Sequence, residues 1–442
     1  MALRHNAACY LIVLLVTAAV SPARADAAAL TMGQMQAVST NGSLDVARNP
    51  SLMTAQNTDN SLGVLLLYAP HTQRRYSHSY YQDSSLLSGS ARDLRHNAGT
   101  VSLSYCRKTS GGMIGLALDT DERYSGAFTR YKRTYTGIVK GSFSHTEIGG
   151  QLMRLSPRFV FSYGGVVKGE HSLGVQCAAG YSFSRDDTDY FIVENFQPGQ
   201  KHHSSKRTEE ARAELSAGYL YRTADSQVGL MIRSGRFGWQ KTKIYYNRAD
   251  FFPSAYLPVA VQLRFAGSVS EPYTFKYDRA FGIIAGGYHR PARYIALALE
   301  GEFQVPIAYN IKDLRFDETT YFFALPQNLA VNRSGLICIR AGFEILPDGP
   351  AVISMGGTLR FVRERKKGMY LRETVRTEEY GGSFGLDIRA VDNLLIMAGA
   401  RMTYTRERRK AEMSYRFFGS GANDGLTTFL HTDCFIGTSV GF

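Results

Sequence analysis

The stretch YIALALEGEFQV, residues 294–305, decides the fold. Ile295, Leu297, Leu299, Phe303 and Val305 fall on one face, and Ala296, Ala298, Glu300, Glu302 and Gln304 fall on the other. That is period two, the period of a strand with two unlike faces. Leu173, Val175, Ala179, Tyr181 and Phe183 oppose Ser172, Gly174, Gln176, Gly180 and Ser182 in the same way. Leu257, Val259, Val261, Leu263 and Phe265 oppose Gln262, Arg264 and Ala266, and Phe384, Leu386 and Ile388 oppose Gly385, Asp387 and Arg389. Alternation also runs through 211–222, 335–345, 351–363 and 394–405. These strands reach about 10 residues or more, the length that crosses a bilayer when tilted. The polar faces carry Arg212, Glu214, Arg264, Glu300, Glu302, Arg340 and Glu344, which in a barrel would face the lumen.

Composition narrows the alternatives. The chain has 442 residues with 43 Gly, 27 Tyr, 25 Phe and a single Trp, and its net charge is +13. Apolar residues make up 44%, too many for a disordered chain. The mean hydropathy is slightly negative, which argues against a bundle of membrane helices.

The N-terminus reads as an export signal. Arg4 precedes the apolar run 7–20, and Ala23-Arg24-Ala25 supplies a small-x-small cleavage step, so 1–25 is expected to be removed. Cys106, Cys177, Cys338 and Cys434 lie far apart without metal spacing, and the expectation is isolated, half-buried thiols.

Short connections at 289–293, 346–350 and 390–393 contrast with long polar ones expected near 185–210, 240–257, 306–333, 364–376 and 406–427. Short periplasmic turns alternating with long external loops describe a bacterial outer-membrane barrel. The last strand, HTDCFIGTSVGF (431–442), ends on Phe442, resembling the terminal aromatic read by the barrel assembly machinery. The expected fold is therefore all-β: a transmembrane antiparallel barrel, 61–442, of about 14 strands with 12–16 allowed by the length. The alternation of strand direction does not resolve between 240 and 280, where a strand is either missed or misplaced.

Residues 26–60 do not alternate, yet they carry Leu30, Met32, Met35, Val38, Leu44, Val46, Leu52 and Met53. A barrel offers only its lumen to bury them, so a plug is expected. Here a family resemblance enters. The stretch GSLDVARNPSLM (42–53) resembles the N-terminal hatch of the FadL-type outer-membrane transporters for long-chain fatty acids, which centres on an Asn-Pro-Ala step. Asn49 and Pro50 match it, and Ser51 stands at the Ala position. LPVAVQLRFAG (257–267) resembles that family's Leu-Pro-Ala-Ser strand entry. SGLICIRAGFEILPDGPAVISMGG (334–357) resembles its paired Gly-x-Glu-Tyr and Arg-x-Gly-Tyr strands, with Gly342 and Glu344 matching and Ile345 in place of the Tyr. The resemblance implies a 14-stranded barrel with an N-terminal hatch and passage of hydrophobic molecules.

No GxSxG, HExxH or P-loop is present, so no enzyme and no cofactor is expected, and His202-His203 reads as part of a solvated loop. Candidate ligand-binding residues are Lys243, Tyr245, Tyr246, Arg248, Phe251 and Phe252 in one expected external connection and Tyr321, Phe322 and Phe323 in another. Aromatics in such loops either form the interfacial girdle or line an apolar groove with cations at its mouth. A long-chain fatty acid suits that groove, since each buried CH₂ contributes about 0.8 kcal/mol and its carboxylate takes a charge-assisted partner. The basic runs RERKK (363–367) and RERRK (406–410) match outer-membrane lipid phosphates better than nucleic acid, which is not an expected partner. The Gly164-Gly165 and Gly286-Gly287 pairs are candidates for a kink that opens the barrel wall. Alternative functions on the same scaffold are a porin for polar solutes and a barrel that binds protein partners or serves secretion.

Overall fold

The computed structural model describes residues 35–38, 46–56, 58–81, 86–120, 128–139, 142–194, 197–252, 261–270, 274–279, 281–314, 327–333, 335–345, 347, 350–367, 371–391, 394–415 and 419–442. Among them, twenty strand segments form one antiparallel sheet. It closes because Asn60–Tyr81 pairs with Leu86–Thr109 on one side and Gly419–Gly441 on the other. Six segments only continue a neighbour beyond a break. Phe128–Val139 follows Gly112–Thr120, Ser142–Leu155 precedes Pro157–Lys168, and Val261–Ser270 and Thr274–Arg279 precede Gly282–Ala292. Ile307–Leu314 follows Ile295–Gln304, and Gln327–Arg333 precedes Leu336–Ile345. A closed barrel of fourteen staves remains.

Alternation sorts the side chains as the sequence leads one to expect. Phe159, Phe161, Leu173, Val175, Leu297, Leu299 and Phe303 are exposed on the outside, while Ser162, Gln176, Glu300, Glu302 and Arg340 are buried within. Exposed apolar surface on this scale is not tolerated in water. Closure joins the first described strand to the last, so the sheet has no terminal edge, the condition for crossing hydrocarbon. No described helix is long and apolar enough to cross a membrane; the strands do so. This is the architecture of an outer-membrane barrel.

Both ends of the chain's barrel meet at one rim, where the Asn60 and Phe442 backbones exchange hydrogen bonds of 2.9 Å. Connections at that rim are short; the one between Lys168 and His171 turns on Gly169, whose φ of 56° suits a residue without Cβ. This is the periplasmic end by the usual asymmetry of such barrels.

The opposite end corrects the sequence reading. Strands run through most of the stretches expected to be long loops: His171–Glu194 and Gln197–Arg222 span 185–210, and Ser226–Phe252 reaches deep into 240–257. The basic runs 363–367 and 406–410 likewise lie in Ala351–Lys367 and Leu394–Tyr415. Above the bilayer a ladder can persist while its apolar face disappears, so the hydrophobic period stops before the strand does. Between 240 and 280 one stave rises to Phe252 and one broken stave returns from Val261 to Ala292, restoring the alternation of direction. A one-residue shift between Glu214 and Ser216, opposite Gly235 with φ 86°, also exchanges the faces of Ser226–Phe252: Arg233 is buried and Trp239 exposed.

The thiols are not half-buried. Cys106 and Cys338 are buried on the inward face, Cys177 and Cys434 are exposed, and none of the four forms a disulfide.

Trp239 is the chain's single tryptophan, and its position is directly testable. It is 52% exposed and, through Ala211, shares a cross-strand row with the exposed Tyr181. In vesicles, its fluorescence should be quenched more by lipids brominated near the headgroup than by lipids brominated deep in the chain, as interfacial indoles are. Absence of quenching by either lipid would refute the assigned outer face.

Candidate functional site

The lumen is occupied at the level of the bilayer by pieces of the N-terminal segment. Met35, Val38, Val46, Leu52 and Met53 are all fully buried. Each such side chain contributes roughly 1.5–3 kcal/mol relative to exposure. Pro50–Ala55 is one short 3-10 turn. Asn49 caps it, accepting the Ser51 N–H at 3.1 Å, and Pro50 follows at the position where a missing N–H costs nothing. Ser51 adds a bond that alanine would lack, its hydroxyl donating to Asn49 Oδ1 at 2.7 Å.

The wall receives this turn through glycines. Gly164, Gly174 and Gly218 stand directly opposite one another on three adjacent staves. A Cβ built on them would lie 2.5 Å from Pro50 O, 2.6 Å from Ser51 N and 1.8 Å from Asn49 Oδ1. On the next stave, a Cβ at Gly229 would meet Ala37 O at 1.8 Å. The chain therefore touches backbone to backbone across a row that no other residue type would leave open. Asn49 Nδ2 donates to Ala37 O at 3.2 Å and to the wall carbonyls of Tyr219 and Leu230 at 3.3 and 3.5 Å. Gln176 Nε2 donates to Val46 O at 2.6 Å and Ser162 Oγ to the same oxygen at 2.8 Å.

Charge fixes the other piece. Glu300 Oε2 accepts the backbone N–H groups of Gln36 and Ala37 at 2.7 and 2.6 Å, and Arg233 donates to the Gln36 side chain. Arg340 bridges Glu300 at 2.7 Å and Glu302 at 2.5 Å. Of the charges expected on the polar faces, Glu300, Glu302 and Arg340 thus form a bonded network around residues 36–37. Buried ions require such pairing.

Among the described residues, one ladder of the wall changes register by more than one residue. Gly112–Thr120 pairs with Pro157–Lys168 down to Thr120↔Pro157, and the next pairing upward is Phe128↔Met153. The registers of the two parts differ by four residues, whereas register shifts elsewhere in the described ladders amount to one. Ser156 lies at this break and accepts from Arg212 Nη2 at 2.6 Å, with a recess lined also by Pro157, Ala178, Gly180 and Ala213. Exposed Leu155 and Phe159 flank it on the lipid side. The glycine pairs expected to kink do not: Gly164-Gly165 and Gly286-Gly287 sit in uninterrupted register with their neighbours.

Barrels of this construction are known. Neither a protein-family model nor a curated protein sequence matches the chain. Solved structures match over nearly its whole length. A Pseudomonas aeruginosa FadL homologue is 11% identical, with 96% of this chain and 99% of that chain covered at a TM-score of 0.56. The Pseudomonas putida toluene transporter TodX is 11% identical, with 95% and 98% covered at 0.57. The Ralstonia pickettii toluene transporter TbuX is 9% identical, with 95% and 98% covered at 0.52. The fold is that of the FadL-type barrels.

The expected rim residues fare unevenly. Lys243, Tyr245, Tyr246, Arg248, Phe251 and Phe252 lie in the strand Ser226–Phe252 rather than in a connection. Lys243 and Tyr245 are exposed on the barrel's outer side, and Arg207 lies over the Tyr245 ring at 5.4 Å. Tyr321, Phe322 and Phe323 lie outside the described residues. The glycine row, the Glu300–Arg340 network and the ladder break were missed; spacing within single strands carries no sign of which glycines become neighbours.

The seat of the turn can be broken selectively. Gly218→Val should leave the barrel folded, shown by its retained heat-modifiable mobility, while displacing Asn49 and raising conductance in planar bilayers. Gly301→Val, whose Cβ meets nothing within 4 Å, should leave conductance unchanged. Asn49→Ala should weaken the seat by about 1–3 kcal/mol for a buried partner left unsatisfied. An unaltered conductance in both Gly218→Val and Asn49→Ala would show that the turn does not obstruct the pore.

Proposed function

We propose that this barrel passes hydrophobic small molecules across the bacterial outer membrane, with residues 26–60 as a hatch. The observation that carries the reading is the backbone-tight seating of Asn49-Pro50-Ser51 against the glycine row, with Val46, Leu52 and Met53 buried beside it. An open diffusion pore for polar solutes has no use for so tightly seated a segment. The similar structures include a toluene transporter and a monoaromatic hydrocarbon channel as well as a FadL homologue, which supports an apolar cargo without choosing its class.

Within this proposal the cargo is a long-chain fatty acid. It is received at the external rim by the aromatic residues of 245–252 and 321–323, with Lys243 or Arg248 for its carboxylate. Its exit is the wall discontinuity beside Ser156, at the height of exposed Leu155 and Phe159, so that the acyl chain leaves into lipid rather than into the periplasm. Phe442 serves insertion by the assembly machinery and has no part in transport.

Native mass spectrometry on barrel purified in detergent free of fatty acid tests the reading. An acyl species that is bound and displaced by added oleate supports it. A barrel that is empty and does not take up oleate or toluene removes hydrophobic transport altogether. Phe251→Ser with Phe252→Ser should weaken oleate binding by about tenfold, the equivalent of roughly two buried methylenes, with folding intact. Unchanged affinity would remove the rim assignment while leaving transport standing.

A further inference from the structure

Three histidines fall in one row of the wall. His71 stands directly opposite His96 on one neighbouring stave and directly opposite His431 on the other. They belong to Leu86–Thr109, Asn60–Tyr81 and Gly419–Gly441, the staves along which the sheet closes. The chain has only ten histidines, and among the described pairings no other two stand opposite one another. Residues directly opposite in an antiparallel pair lie on one face, with Cα atoms about 4.5–5.5 Å apart. His431 fixes which face this is. It is half-buried and in step with buried Asp433 and Phe435, whereas Cys434 and Ile436 between them are exposed. The row therefore lies on the lumen side.

Asp433 prepares His431 for a metal. It is 1% exposed and engages two side chains, Arg401 at Oδ2 and His431 Nε2 at Oδ1. A carboxylate on one ring nitrogen fixes the tautomer and orientation of a metal-binding imidazole and raises the basicity of the other nitrogen. With Nε2 engaged, Nδ1 is the nitrogen of His431 that would take a metal. Arg401 occupies the second carboxylate oxygen, so Asp433 acts behind the histidine rather than as a ligand itself. Thr403 continues the row beside His431, and its neighbour Tyr404 stands opposite Tyr380 among the exposed aromatics of the outer face. That sets the row near the height of an interfacial aromatic belt.

Donor chemistry decides which cation. Imidazole nitrogens suit zinc, copper and nickel, whereas calcium and magnesium take oxygen donors. The lumen wall is concave, so positions along one row converge inwards and neighbouring histidines can share a single ion. We propose that His71, His96 and His431 form a site for a divalent transition metal of the zinc type. The ion ties the first two staves of the barrel to the last, across the line where the sheet closes.

The test uses the full barrel without an affinity tag, stripped with a chelator and held in mild detergent at neutral pH. Native mass spectrometry should show one zinc ion retained per barrel, about a hundredfold or more tightly than magnesium. His71→Ala and His96→Ala should each weaken zinc binding by about tenfold or more while keeping heat-modifiable mobility. His202→Ala with His203→Ala, which removes the adjacent pair from another stave, should leave it unchanged. On wild-type protein, zinc should protect His71, His96 and His431 from modification by diethyl pyrocarbonate, read by peptide mass mapping. Exposed His203 should stay as reactive as before. Absence of zinc-dependent protection along the row would overturn the proposal, and so would undiminished zinc binding by both His71→Ala and His96→Ala. The protection pattern on wild-type protein stands even if those variants fail to fold.

Discussion

The wall and the segment inside it approach so closely that one methyl group cannot be placed between them, and much else in the structure follows from this. Backbone that enters a barrel lumen must find partners for its N–H and C=O groups without water. Glycines at 164, 174 and 218 let the Asn49-Pro50-Ser51 backbone reach the wall, and the Asn49 amide then bonds to carbonyls of the wall and of residue 37 at once. One side chain thereby couples two separate pieces of the segment to two staves. Proline contributes by lacking an N–H that would otherwise need a partner at the tightest point.

The two halves of the lumen hold the segment by different physics. Staves around 113–117, 160–178 and 220 surround Val46, Leu52 and Met53 with apolar side chains, a non-directional contact, and Gln176 and Ser162 add hydrogen bonds to Val46 O. Staves around 233, 300 and 340 hold residues 36–37 through a carboxylate that accepts two backbone N–H groups.

Much of this was legible in the sequence, and the misses share a cause. Period two in 294–305 gave the strands and their faces, and Asn49-Pro50 marked the inner turn, because both are properties of contiguous residues. The strand ends were misread because the alternating apolar face stops at the bilayer, while the ladder of Gln197–Arg222 does not. Gly164-Gly165 was read as a kink because a missing Cβ permits either a bend or a close approach, and only the neighbouring staves show that Gly164 serves the latter. The rim aromatics were placed in a connection for the same reason as the strand ends, whereas Tyr245 and Tyr246 belong to the strand Ser226–Phe252.

The location of the ladder break connects the lumen to the lipid. It lies between the staves Gly112–Thr120 and Pro157–Lys168, and these same staves supply Gly115, Met113, Ala117 and Val160 to the contacts of Val46 and Met53. The registers on the two sides of residues 121–127 differ by four, so at this seam ordinary pairing does not carry one described part of the ladder into the other. Packing of Val46 and Met53 against both sides of the seam gives the strands below it a shared inner support. On the proposed reading, a cargo that displaces those two side chains removes the support and fills the space beside the seam in the same step. Seal and exit are then one structural element, which explains why the part of the segment held by apolar contact, rather than the part held by charge, lies beneath the break.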